Sequence, residues 1–198
     1  MSKPALRLDE FNQHDLRDVA DQLLETTKVE YVDEGALLIM NPPGLEHRRI
    51  VRSIVDSVKR AYYTGQIAVN WAVDENFQWE FPDKSRRFFI PDIVLIHPDA
   101  VTAEEERASI ALVVEVTSPP SRDAVFNDRT IKPVEYAKGK VPLYLLVDQE
   151  LSRWTLHGCH EGGQRYQIVA HGVYGADIPL PEPLVFTIPT ATWPRWPS

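Results

Sequence analysis

Ala111-Leu112-Val113-Val114-Glu115-Val116-Thr117 is an apolar run holding a single carboxylate, and Phe88-Phe89-Ile90-Pro91-Asp92-Ile93-Val94-Leu95-Ile96 is another. Short, nearly continuous runs rich in Val and Ile are the pattern of strands buried on both faces. A charge inside such a strand costs on the order of several kcal/mol unless it is paired or coordinates a metal. Two such charges, Asp92 and Glu115, on strands that could be neighbours point to a shared cation and to metal-dependent chemistry.

Working outward from residues 111–117, the next apolar run is 143–147, and the segment between, 123–138, has helical spacing despite Pro133. Strand, helix, strand in that order predicts a parallel βαβ crossover. Upstream, residues 46–62 form the best helix of the chain. Ile50, Val51, Ile54, Val55, Val58, Ala61 and Tyr62 make one apolar stripe, with Arg48, Arg49, Arg52, Lys59 and Arg60 on the other side. His47 falls at the N-terminal end of the apolar side. Strand-like runs occupy 67–73, 77–81 and 88–96. Residues 29–40 read as a hairpin broken at Asp33-Glu34-Gly35, and 14–25 as a short amphipathic helix. Beyond Trp154, short β-like pieces at 154–157, 166–169 and 184–188 are separated by Gly and Pro. The expectation is one α/β domain over residues 1–198, a mixed sheet flanked by helices, with its core in 28–150 and a β-rich C-terminal tail.

Composition bounds the function. At 43% hydrophobic and 25% charged, the chain reads as an ordinary globular protein with no apolar stretch of transmembrane length. Met1-Ser2-Lys3-Pro4 begins no signal peptide, so the expected compartment is the cytoplasm, with no membrane partner. The single cysteine, Cys159, excludes an internal disulfide and a four-thiolate zinc site, and reads as inert packing. The net charge of −8 is unlike that of a protein relying on nonspecific phosphate attraction. Residues 46–62 are the local exception, and their bases read first as a solvated face.

Mg²⁺ takes oxygen ligands, commonly one or two carboxylates with waters and substrate phosphates. Asp92 and Glu115 supply such oxygens, and the backbone carbonyl of Val116 is beside them. Mn²⁺ accepts the same donors and is the natural substitute. Phosphodiester hydrolysis also calls for a positive charge near the reacting phosphate and a positioned water. Lys132, on the helix after the Glu115 strand, is the lysine placed for that. Lys138 and Lys140 lie at the far end of that helix, where they complement its dipole. Asp128, Tyr136 and Ser118 read as scaffold. Trp193 and Trp196, in a Pro-rich tail, read as a docking anchor.

Taken in order, Glu30 to Gly35, Met40-Asn41-Pro42, His47, Pro91-Asp92, Glu115 to Pro119, Asp128-Arg129-Thr130-Ile131-Lys132-Pro133-Val134-Glu135-Tyr136, and Tyr144 to Asp148 resemble the Uma-type restriction endonuclease family of the PD-(D/E)XK nuclease superfamily. The resemblance runs from about residue 28 to 150. It implies a restriction-endonuclease-like core, a Mg²⁺-dependent site and a nucleic-acid substrate, with DNA the expected one. The position two after Glu115 is Thr117 rather than Lys, and Lys132 matches the family's alternative lysine. Glu30 and His47 match positions directed at the same pocket: Glu30 as a further carboxylate, His47 as a water- or phosphate-contacting group. Pro133 directly after Lys132 is expected to steer that residue away from helical geometry. The extra residue Glu34 is expected to shift the hairpin register near Glu30.

The leading reading is a metal-dependent endonuclease, catalytic through Asp92, Glu115, Lys132, Glu30 and His47. The alternative is a non-catalytic binding or regulatory protein on the same fold. A metal hydrolase of small phosphate esters is a third reading. Cutting both strands of a duplex would favour a homodimer, because the two scissile phosphates are related by a two-fold axis.

Overall fold

A computed structural model describes residues 29–33, 36–39, 42–82, 87–119, 122–159 and 165–195. The helix expected at 14–25 and Trp196 lie outside them. The strands are β1 Val29–Asp33, β2 Ala36–Ile39, β3 Ala72–Asp74, β4 Trp79–Glu80, β5 Phe88–Phe89, β6 Ile93–Ile96, β7 Ile110–Val116, β8 Leu143–Asp148, β9 Arg153–Cys159, β10 Tyr166–Val173, β11 Ile178–Pro179 and β12 Thr187–Ile188. The helices are α1 Leu45–Tyr63, α2 Ala103–Ala108, α3 Arg122–Phe126 and α4 Lys132–Lys138, with a π-helical turn, Asn127–Ile131, joining the last two.

The main sheet has the order β10-β9-β8-β7-β6-β3. Only β7 and β8 run parallel, and α3, the π turn and α4 form the crossover between them, as the apolar runs predict. All seven residues of β7 are buried. Alternation divides them between two cores. Leu112, Val114 and Val116 join Ile50, Ile54 and Val58 of α1 and the C-terminal tail on one face. Val113 joins Val94, Tyr136 and Tyr144 on the other. Burying each Val or Leu side chain is worth about 1.5–3 kcal/mol, so the sheet centre holds the fold together. The tail is fastened to α1 through Trp193, whose Nε1–H donates to Ser53 Oγ at 3.1 Å. Gly139, which ends α4, permits a close approach: a Cβ there would meet the Trp79 ring at 2.4 Å.

Two expected strands are corrected. Residues 88–96 are not one strand. Phe88–Phe89 belongs to a second, four-stranded sheet of order β2-β1-β5-β4, and Ile93–Ile96 to the main sheet. The break is at Pro91, which has no N–H for a ladder. The preceding N–H, of Ile90, donates to Glu30 Oε1 at 3.0 Å instead of to a strand. The chain thereby crosses between sheets and delivers Asp92 at the seam. Residues 67–71 are not strand either, because the N–H groups of Gln66 and Ile67 close the C-terminal turn of α1 on Ala61 O. At the hairpin the register is irregular between Tyr31 and Asp33, while Glu30 stays in step opposite Leu38, so the extra residue is absorbed away from Glu30.

Candidate active site

The β6–β7 register, Ile93↔Val114, carried one step further sets Asp92 opposite Glu115. Cross-strand partners share a face, so the two carboxylates sit side by side at one end of the sheet. Asp92 Oδ2 accepts the Val116 N–H at 2.8 Å and contacts His47 Nε2 at 3.0 Å. His47 comes from the first turn of α1 and is buried on its apolar side. A carboxylate oxygen can only accept, so Nε2 carries the proton of that bond. Nδ1, on the other side of the ring, is buried with no partner among the described residues.

Glu115 is held from α4. Lys132 Nζ lies 2.9 Å from Glu115 Oε1, 2.9 Å from Glu30 Oε1 and 3.0 Å from Asp128 Oδ1. The Tyr136 hydroxyl donates to Glu115 Oε1 at 2.9 Å. Asp128, Lys132 and Tyr136 are spaced four residues apart, so they project from one side of the helical segment, and all three are buried. Contrary to the expectation from Pro133, Lys132 is helical (φ −56°, ψ −45°). A π turn leads into it. Its wider hydrogen bond, Lys132 N–H to Asn127 O, ends the first helical stretch, and α4 restarts with proline in its first turn, where a missing N–H costs nothing. Thr117, the place where a motif lysine would stand, is instead locked into the sheet. Its N–H bonds Val147 O at 2.9 Å, and its carbonyl accepts Gln149 Nε2 at 2.6 Å.

This cluster is short of positive charge. Lys132 faces three carboxylates, and an ammonium has three N–H donors, so all of them are engaged. Burial alone would lower the Lys132 pKa, but Asp128, Glu115 and Glu30 outweigh it and hold the ammonium well above its usual range. Burial pushes the Glu115 carboxyl well above its ordinary value. Lys132 opposes that shift, while Asp128, Asp92 and Glu30 add to it. Asp128 is raised by burial too, again against the pull of Lys132. Burial, helped by Glu115, also raises the Tyr136 phenol, which stays a neutral donor. Glu30 Oε2 is buried without a partner among the described residues.

The structure thus brings together all five residues singled out in the sequence: Glu30, His47, Asp92, Glu115 and Lys132. It adds Asp128 and Tyr136, which were read as scaffold. Their spacing of four on either side of Lys132 was the signal available. Among the described residues no three His, Cys, Asp or Glu side chains are grouped to hold a metal by themselves.

The model of the Uma2 family, described as "Putative restriction endonuclease", matches residues 9–191. This chain belongs to the Uma2 family. A solved protein from Anabaena variabilis ATCC 29413, described as a "putative nuclease belonging to DUF820", is similar over 85% of this chain and 93% of its own, with a TM-score of 0.56. At 18% identity that likeness bears on the fold alone, a mixed sheet with flanking helices as expected. No curated protein matches the chain. Among the described residues of this Uma2 member no helix is long and apolar enough to cross a membrane.

Proposed function

We propose that the chain is a divalent-metal-dependent endonuclease that hydrolyses phosphodiester bonds in DNA. The observation that carries this reading is the pairing of Asp92 with Glu115 across β6 and β7, inside a buried cluster where one lysine faces three carboxylates. Buried carboxylates in excess need either protons or a cation. The donors fit Mg²⁺, which takes one or two carboxylates and leaves its remaining positions to waters and phosphate oxygens.

Asp92, Glu115 and the Val116 carbonyl would hold Mg²⁺, or Mn²⁺ in its place. The bound ion would neutralise charge on the scissile phosphate and acidify a water. The protein's own part is preorganisation. The Val116 N–H and His47 fix Asp92 from two sides, and Lys132 and Tyr136 fix Glu115 through Oε1. Lys132, with no donor to spare, acts in this arrangement as a positioning residue that also limits the charge of the pocket. His47 keeps Nδ1, an acceptor while Nε2 carries the proton, for the O–H of a water, and Glu30 keeps Oε2 as a further acceptor.

The test is cleavage of supercoiled plasmid by purified protein with Mg²⁺ or Mn²⁺, beside Glu115→Gln. Nicking or linearisation that needs the metal and drops about a hundredfold or more in the variant is expected, the size typical of losing a group that acts on the transition state. Equal cleavage by both proteins would remove Glu115 from the chemistry. The engagement of all three Lys132 donors favours a second reading, a non-catalytic binding protein on this fold. It predicts no metal-dependent cleavage by either protein.

A further inference from the structure

The bases of α1 run against the charge of the chain. The chain as a whole carries 29 acidic against 21 basic side chains. Within α1 the balance reverses: Arg48, Arg49, Arg52, Lys59 and Arg60 stand against Glu46 and Asp56 alone. All five bases are exposed. Arg52 has only a loose contact with Asp56 at 3.9 Å, and among the described residues Arg48, Arg49, Lys59 and Arg60 take part in no ion pair. Lack of ion pairs is not what sets them apart, since Arg122, Lys140, Arg153, Arg165 and Arg195 are also exposed and in no ion pair among the described residues; their concentration on one helix is.

Helix stability accounts for only part of the placement: Glu46 in the first turn and Lys59 and Arg60 near the last suit the dipole, but Arg48 and Arg49 do not. The N-terminal end of a helix carries a partial positive charge, which disfavours cations there. Arg48 and Arg49 nevertheless follow the first turn directly, and Gly44 at the N-cap offers no side chain to offset them. At about 100° per residue, the five bases fall within an arc of about 120° on the side away from the core, with Asp56 the one acid inside it. From Arg48 to Arg60 the stripe is about 18 Å long, roughly half the ~34 Å turn of a B-form duplex. The stripe also has a fixed origin. His47, one residue before Arg48 but on the opposite, apolar side of α1, is bound to Asp92 at 3.0 Å, so the stripe begins at the end of the helix that covers the site.

We propose that this basic face of α1 is the surface that binds the phosphodiester backbone of a DNA duplex and leads it to the Asp92–Glu115 site. The inference rests on the nuclease reading and adds the substrate track to it. The face supplies charge without base-edge chemistry, so it positions the backbone and reads no sequence. It also reconciles a net charge of −8 with a polyanionic substrate. The attraction is local, and the acidic remainder of the surface keeps the duplex off other faces.

The experiment is fluorescence anisotropy of a labelled duplex of about 20 base pairs, in EDTA so that no cleavage occurs, over a series of KCl concentrations. Wild type is compared with Arg48→Gln/Arg49→Gln/Arg52→Gln, and with Lys138→Gln/Lys140→Gln as a control for bases elsewhere. The α1 variant is expected to bind about tenfold or more weakly near 0.1 M salt, and to lose about 2.7 from the slope of log K against log salt, roughly 0.9 per phosphate contact. The control should bind like wild type. The substituted side chains are exposed, so the melting temperature should stay put and loss of fold would not be confused with loss of binding. Unchanged affinity and slope in the α1 variant would overturn the proposal while leaving the nuclease reading intact. Wild type that binds phosphatidylserine–phosphatidylcholine vesicles and no duplex would also overturn it, in favour of a membrane surface. The nuclease reading fails by a different route, in the plasmid assay, where Glu115→Gln would cut as well as wild type.

Discussion

Asp128 and Arg129 are adjacent in the chain, and each belongs to a cluster of opposite charges, but the two clusters differ in how much water reaches them. Asp128 turns inward with Lys132, Glu115 and Glu30, all of them buried. Arg129 turns outward, where its guanidinium binds Asp148 at 2.8 Å and Glu150 at 2.9 Å with the Arg129 side chain 33% exposed. Outside, water reaches Arg129 and Glu150 and screens their pair, while Asp148 is itself buried, so the outer cluster is half wet. Inside, removing ions from water costs several kcal/mol apiece, to order of magnitude, and the lysine offsets only part of that. A protein selected for stability alone would fill the inner site with apolar side chains, as it fills the rest of β7. Under the proposed function, the inner cluster is the place where stability is given up for chemistry.

That contrast can be broken most directly at Lys132. Lys132→Met leaves Glu30, Glu115 and Asp128 buried without their cation, and about 3–5 kcal/mol of stability at neutral pH should be lost. The loss should shrink as pH falls and the carboxyls take up protons. Urea denaturation at two pH values measures both effects. A loss no larger than that of a surface pair would mean the cluster is wetter than described here. Tyr136→Phe removes one donor from Glu115 while keeping the ring against Trp79 and Phe89. About 1–2 kcal/mol is expected by the same titration, and Tyr136→Phe should lose plasmid cleavage along with stability. A stable variant with full activity would return Tyr136 to the scaffold. Arg129→Gln should cost about 1–2 kcal/mol, because Asp148 is buried while Glu150 is exposed, and the Glu150 part of the effect should fade in high salt. A cost as large as that of Lys132→Met would erase the distinction between the two clusters.

Much of this was legible in the sequence because β7 and β8 are apolar without interruption, so a single acid such as Glu115 stands out. Asp92 was legible for the same reason, through the Pro91-Asp92 step. What escaped was geometry created by backbone irregularity. The two sheets divide at Pro91, a step the sequence did offer, but the bond that holds the divided chain runs from the Ile90 N–H to Glu30, sixty residues upstream, and no local pattern reports it. The π turn that leads into Lys132 likewise leaves no periodic trace. Asp128 and Tyr136 were passed over for a different reason. An acid near a helix start and a core aromatic are both ordinary, and their importance appears only when they are counted in steps of four from Lys132.

The smallest expected effect lies away from the site, at His157. This side chain packs between Tyr144 and Tyr166, and burial lowers its pKa. A depressed folded pKa means the folded state binds fewer protons than the unfolded one. Its contribution is therefore complete above the ordinary imidazole value of about 6.5 and is lost as pH falls below it. His157→Gln should flatten that part of the stability profile in chemical denaturation from pH 7 to 5. An unchanged profile would assign the acid dependence to other groups.

The most direct measurement of the central claim, that the excess carboxylates form a cation site, is thermal unfolding of the wild type and Asp92→Ala across a series of Mn²⁺ concentrations. An ion that binds only the folded state stabilises it by RT ln(1 + [L]/Kd). Wild type should therefore melt progressively higher as Mn²⁺ rises, and Asp92→Ala should not respond. Parallel curves for the two proteins, or a wild type indifferent to Mn²⁺, would contradict the account.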